Sequence, residues 1–195
     1  RDLAGRARIE VATAEDGIKF PAYVIDGRRS VYLHMHDLAE LCGFDVYIDT
    51  DGKLVFEKFL NGKTVHVFEF AKHIVALDVD RSQPLAGLVE AWGESPAGVR
   101  GEDSWPWLIT DFSGAKGTAG SGALLLRERP VLRTREAART AANAALTDIQ
   151  RRTLRGQVMT FGRPEVKLGD AIRFRGMADD SLNTFFQVRS VAHRI

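Results

Sequence analysis

The sequence has a single cysteine, Cys42, among 195 residues. One thiol can neither close an intramolecular disulfide nor build a cysteine-rich metal site, and its isolation fits assembly in a reducing cytoplasm. Charge of one sign is also missing, since 27 Lys and Arg face 26 Asp and Glu. No overall field recruits DNA, RNA or anionic lipid, so no sequence-specific nucleic-acid partner is expected. No apolar run approaches the roughly 20 residues that span a bilayer, so no membrane insertion is expected. The N-terminal stretch Arg1 to Glu10 lacks the apolar centre of a signal peptide. No repeat of fixed period occurs. With 45% hydrophobic and 27% charged residues, the chain can still bury a substantial core. Its length fits one large domain, or a domain with a small appendage. It begins with Arg1, from which we expect a piece of a longer protein whose upstream domain is absent.

Catalytic motifs are scarce as well. A serine hydrolase elbow needs G-x-S-x-G, and the segment Gly117 to Gly122 supplies only Gly120-Ser121-Gly122. The same segment lacks the Lys-Ser/Thr ending of a phosphate-binding loop, so it reads as a flexible loop. Acidic pairs occur at Asp49/Asp51, Asp78/Asp80, Glu102/Asp103 and Asp179/Asp180. Three of them fall in turns, where Asp is favoured because it bonds its own backbone; Asp78 and Asp80 fall at a strand end. Among five histidines the densest group is His34 and His36 near Glu40 and Cys42. On a helix, residues two apart point in nearly opposite directions, so His34 and His36 cannot share an ion. His36 and Glu40 could, but two ligands do not make a site. No metal, cofactor or catalytic residue is assigned.

The elements that are present follow from periodicity. The stretch from Arg6 to Gly17 reads as a strand and turn, and Lys19 to Arg29 as a second extended piece closed by Asp26-Gly27. Ser30 stands as the N-cap of a short helix whose apolar face is Val31, Met35, Leu38, Leu41 and Cys42, with Gly43 as its stop. A hairpin follows, in which Phe44 to Asp49 and Lys53 to Phe59 flank Thr50-Asp51-Gly52. The runs Lys63 to Phe70, His73 to Asp80 and Ala86 to Gly93 predict three consecutive strands of a second sheet. Ser95 to Leu126 is rich in Gly and Ser and has no period, so it predicts a long loop. It carries Trp105 and Trp107, residues that anchor interfaces when exposed.

A long helix then spans 133–153, capped by Thr134, with Glu136 in the first turn and Arg151 and Arg152 in the last. Its stripe of Ala138, Ala141, Ala142, Ala145, Leu146 and Ile149 predicts very close packing on a sheet, with Arg133, Arg135 and Arg139 outside. Three strands end the chain, in Gly156 to Phe161, Ala171 to Gly176 and Phe185 to His193. Between the first two, Pro164 and Gly169 build a turn that Asp170 caps. The fold class is α+β: a curved antiparallel sheet or β-barrel carrying one long helix, plus a small helix-hairpin unit. The expected divisions are 1–29 as strands leading from an upstream domain, 30–59 as the helix and hairpin, and 60–195 as the barrel.

Two segments carry a family resemblance. Leu38 to Glu57, with its leucine helix, Gly43-Phe44, short strand, Asp51-Gly52 and Leu54-Val55-Phe56, resembles the helix and hairpin of phage tail baseplate hub proteins of the late control D type. The ending is similar too, in the order Thr134, Ala141, Ala144, Ala145, Leu146, then Gly162, Pro164, Val166, Gly169, Asp170, then Val188, Ser190, Val191, His193. The resemblance covers about two thirds of the chain. It implies a barrel of tail-tube-like type and a structural, non-enzymatic subunit that joins the tail tube to the puncturing spike in a phage tail or contractile injection system. It further implies a homotrimer, with a tail tube protein and a spike protein as partners, located in the virion tail or baseplate after assembly in the bacterial cytoplasm. Candidate interface residues on this reading are Trp105 and Trp107 in the loop, Val65 and Val67 on a strand edge, and Arg135 and Arg139 on the late helix. The alternative readings are a tail-tip cell-wall hydrolase, or a carbohydrate-binding module that stacks ligands on Trp105, Trp107 and Phe112. For His193 a structural hydrogen bond is expected.

Overall fold

The computed structural model describes residues 1–20, 23–59, 64–93 and 115–193. In chain order its described elements are helix α1 (Asp2–Ala7), strand β1 (Val11–Ala14), helix α2 (Val31–Cys42), strands β2 (Asp45–Ile48), β3 (Leu54–Glu57), β4 (Val65–Glu69), β5 (Ile74–Arg81), β6 (Leu88–Trp92), β7 (Lys116–Gly120) and β8 (Leu124–Glu128), helix α3 (Arg135–Arg151), strands β9 (Leu154–Thr160) and β10 (Ala171–Arg175), a short 3-10 helix (Asp180–Leu182), and β11 (Phe185–Gln187). The protein is α+β, with antiparallel and mixed sheets. The described strands make four small sheets, in the orders β1-β3-β2, β11-β10-β4, β5-β9 and β7-β6-β8, and none closes into a barrel. Contacts divide the chain into one unit of Arg1–Ala14, Asp45–Arg81 and Leu154–Ile195, and another of Glu15–Phe44 and Ser82–Thr153.

In the second unit, alanine decides how the helix and sheet meet. The Thr134 hydroxyl accepts the Ala137 backbone N–H at 3.2 Å and starts α3. Its ends lie two residues inside the expected 133–153, within the usual fraying of helix termini. Ala137, Ala138, Ala141, Ala142 and Ala145 bury their methyls with Val89 and Ala91 of β6, Ala119 of β7 and Leu41 of α2. Each buried methyl contributes about 0.8 kcal/mol, so such a core gains less from bulk than from close contact. Gly117 permits that contact. A Cβ there would lie 2.1 Å from the Arg139 backbone nitrogen and 2.2 Å from the Ala138 carbonyl carbon, so the helix backbone rests directly on the strand.

The Gly/Ser-rich stretch expected as a loop contains strands β7 and β8. They flank β6 on opposite sides, β7 antiparallel and β8 parallel to it. Ser121 to Ala123 therefore passes around the start of β6, where Ser121 N–H donates to the Gly87 carbonyl and Gly87 N–H to the Ala123 carbonyl. This crossing needs glycine: Gly120 and Gly122 hold φ of 83° and 108°, and a Cβ on Gly87 would lie 2.4 Å from the Ser121 oxygen. The glycines that erased the strand periodicity are what lets three strands meet here.

In the first unit, the inner faces of two sheets share a core. Phe68 of β4, Ile172 and Phe174 of β10, Met177 and Val188 are buried, with Ile74 and Leu77 of β5, Val158 of β9 and Phe186 of β11 packed against them. Turn chemistry sets the strand ends. Asp49 Oδ1 accepts the N–H groups of Asp51 and Lys53 in the β2-β3 hairpin, and Gly52 takes a φ of 77°. Asp170 caps the turn before β10 as expected, its Oδ2 accepting the Lys167 N–H and meeting His66 Nε2, each at 2.9 Å.

Other expectations are corrected. Arg6 to Gly17 is the end of α1 followed by β1, because the Leu3 and Ala4 segment takes helical form ahead of the alternating Val11 to Ala14. Among the described residues of Lys19 to Arg29 there is no strand; Asp26 Oδ1 accepts the Arg28 N–H and makes a turn. Strands β4, β5 and β6 are not neighbours but pair with β10, β9, and β7 with β8, respectively. Long-range pairing overrode adjacency in sequence. The last strand stops at Gln187, and His193 is exposed and without a hydrogen bond among the described residues. Helix α2 lies in the second unit and strands β2 and β3 in the first.

Candidate functional site

The sheet β11-β10-β4 places two of the sequence-derived interface residues together. Strand β4 is parallel to β10, with Val65 opposite Ala171 and Val67 opposite Arg173. Alternation turns Phe68 into the core and Val65 and Val67 outward, where they are 40% and 37% exposed. Strand β11 adds Phe185, opposite Arg173 and exposed on the same face. The Arg173 guanidinium lies 5.0 Å from the Phe185 ring centroid, a cation-π contact. Strand β4 is also an edge of the sheet among the described residues. Two outward β-branched residues thus stand on an edge that no described strand covers.

Arg135 and Arg139 are exposed on α3. They belong to the second unit, whereas Val65 and Val67 belong to the first. Trp105 and Trp107, with Phe112, lie outside the described residues.

Ionisable groups gather in three further places. His34 is buried, and its Nε2 faces the Asp26 carbonyl at 3.0 Å while its Nδ1 faces the Tyr23 hydroxyl at 3.1 Å. A carbonyl only accepts, so in the neutral ring Nε2 carries the hydrogen and Tyr23 donates to Nδ1. Both residues line a cavity of about 420 Å³, with Arg29, Asp37, Arg129 and Arg133 among its walls. Burial raises the Tyr23 pKa and Asp37 adds to it, against Arg29 and Arg129. The Arg29 guanidinium, 2.7 Å from Asp37, holds that carboxyl below the usual carboxylate range. The cavity has small-molecule size, and Asp37 and Tyr23 in its walls are already bound to neighbours.

On the same helix, His36, Asp37 and Glu40 offer ligand atoms within 4.8 Å of one another. Asp37 joins a pair that the spacing of His36 and Glu40 had already indicated. Its carboxylate is held by Arg29, and Glu40 by Arg127, so a cation would compete with two guanidiniums. The third group was not legible at all. Asp45 and Glu57 are buried and directly opposite on β2 and β3. The Gln187 amide and the Arg189 guanidinium engage the two oxygens of Asp45, the latter at 3.1 Å, tying β2 to the segment at β11. These contacts span more than 140 residues of chain, a distance that no local spacing reveals.

No protein-family model and no curated protein matches the chain. Solved structures do. The 43 kDa tail protein of prophage MuSo2 from Shewanella oneidensis superimposes with a TM-score of 0.69 at 14% identity, over 94% of this chain and 56% of its own. A tail protein from Neisseria meningitidis MC58 gives 0.65 at 14% identity, over 95% and 58%. A chain in the virion of a native gene transfer agent particle gives 0.67 at 15% identity, over 98% and 43%. The chain thus has a phage-tail-type fold, and it spans about half the length of the structures it matches.

Proposed function

We propose that this chain is a structural subunit of the hub that joins a tail tube to a puncturing spike, in a phage tail or contractile injection system. The observation that carries this reading is the strand β4, an edge among the described residues, with Val65 and Val67 turned outward on a fold shared with tail proteins. A subunit of such an assembly works by geometry. It buries its exposed edges against copies of itself and against the rings above and below, and closed symmetry sets their number. The trimer, the tube protein and the spike protein are the partners of this reading. Assembly takes place in the bacterial cytoplasm, and the finished position is the virion tail or baseplate.

Mass photometry and negative-stain imaging test the reading. Rings or trimers are expected as concentration rises into the micromolar range, and the double variant Val65→Lys, Val67→Lys is expected to reduce the assembled fraction without unfolding the chain. A particle that stays monomeric at every concentration overturns the hub. Release of soluble fragments from purified cell wall overturns the purely structural role in favour of a hydrolase.

A further inference from the structure

The ribbon β5-β9 is built differently from the other three sheets. Its strands are the longest described, eight and seven residues, yet they form a sheet of only two. One face packs into the core through Leu77 and Val158, which are opposite each other. The other face carries Ala76, Asp78 and Asp80 from β5, against Met159, Gln157 and Arg155 from β9. All six are exposed. Among the described residues, no backbone group of either strand bonds to a third strand. Val75, Met159 and Phe161, at one end of the ribbon, are 53%, 57% and 68% exposed. A long uncovered edge with apolar residues along it is a template for another strand.

We propose that the β5 edge of one copy pairs antiparallel with the β9 edge of the next, so that the ribbon continues as one sheet from copy to copy. This rests on the hub reading and names the surface through which its copies meet. Charge selects the pairing. Two β5 edges brought together set Asp78 and Asp80 against the same acids, because Arg81 falls on the Leu77 face and is engaged by Asp179. Like charges directly opposite destabilise a strand pair, whereas opposite charges stabilise it. A β5 edge against a β9 edge sets Asp78 and Asp80 beside Arg155, and Val75 and Ala76 beside Met159. The two edges differ, so the contact is head-to-tail, and a head-to-tail contact that repeats closes into a ring when the rotation allows.

Single cysteines test the pairing, because the native Cys42 is buried. Chains carrying Ala76→Cys and size-tagged chains carrying Gln157→Cys are mixed and treated with a short bismaleimide. The expected product is the mixed dimer, at least tenfold over either like-with-like dimer. In parallel, the exposed-site variants Val75→Lys and Met159→Lys are expected to lower the assembled fraction at least tenfold while the Tm stays within a few degrees of the parent. Like-with-like crosslinking of Ala76→Cys chains overturns head-to-tail pairing. Assembly that persists in Val75→Lys and Met159→Lys, with no mixed dimer, overturns this surface and leaves the hub reading standing. A parent chain that never assembles overturns both.

Discussion

Adding one methyl at Gly117 tests how the second unit is held together. In Gly117→Ala the new Cβ would stand 2.1 Å from the Arg139 backbone nitrogen and 2.2 Å from the Ala138 carbonyl carbon. Both are main-chain atoms inside a helix, so no side chain can swing away. Relief requires α3 to lift from β7 by about 1 Å, and a gap of that size forfeits a quarter to a half of the dispersion energy at each contact it opens. Those contacts include the methyls of Ala138 and Ala142, which have no exposed surface. Overpacking of a tight core costs about 1 to 3 kcal/mol, and a clash against backbone belongs at the upper end, about 3 kcal/mol. For a chain of this size the Tm should fall by roughly 6 to 12 °C. Urea unfolding followed by circular dichroism should show a lower midpoint with an unchanged slope. Gly5→Ala is the matched control, since nothing lies within 4 Å of a Cβ there and Gly5 sits within α1. That change should be neutral or stabilising by up to about 1 kcal/mol. If Gly117→Ala lies within about 0.5 kcal/mol of the parent, the helix does not rest on the strand and the account of this core fails.

Further outcomes follow from the turns, caps and ion pairs. Asp170→Ala removes the acceptor for Lys167 N–H and the partner of His66, and should cost about 1 to 3 kcal/mol. A double-mutant cycle with His66→Ala should return a nonzero coupling, and strict additivity contradicts the pair. Thr134→Ala should destabilise by about 1 kcal/mol through loss of the N-cap of α3; equal stability shows that the cap is idle. The Arg29 guanidinium depresses the Asp37 pKa, so this pair stabilises the folded chain above the ordinary carboxylate pKa of about 4 and stops doing so as pH falls through the depressed value. Asp37→Asn should therefore melt below the parent at pH 7 and converge with it from about pH 4 downward, and a gap that widens on acidification contradicts the pairing.

Local chemistry was legible where a residue acts on its own neighbours. Ser30 and Gly43 bracketed α2, Thr134 started α3, Asp49 and Gly52 closed the hairpin, and Asp170 capped its turn, because caps and turns are decided within three or four residues. The alanine stripe announced a helix that packs closely, since side-chain size is written in the sequence. Partner choice was not legible. That β4 pairs with β10, and β5 with β9, depends on contacts separated by some eighty to one hundred residues, whose gain in burial outweighs adjacency. The hidden strands β7 and β8 failed to register because Gly117 and Gly120 of β7 and Gly122 before β8 serve close backbone approach and carry no periodicity. Val65 and Val67 were named as strand-edge candidates on the hub resemblance, but that their strand pairs with β10 and stands beside Phe185, uncovered among the described residues, is a property of the sheet. The sequence by itself determined where elements start and stop and how closely α3 could pack. Tertiary structure alone decided which strands meet and which edges stay open, because backbone hydrogen bonds between strands carry no residue code and are assigned only when the cores close.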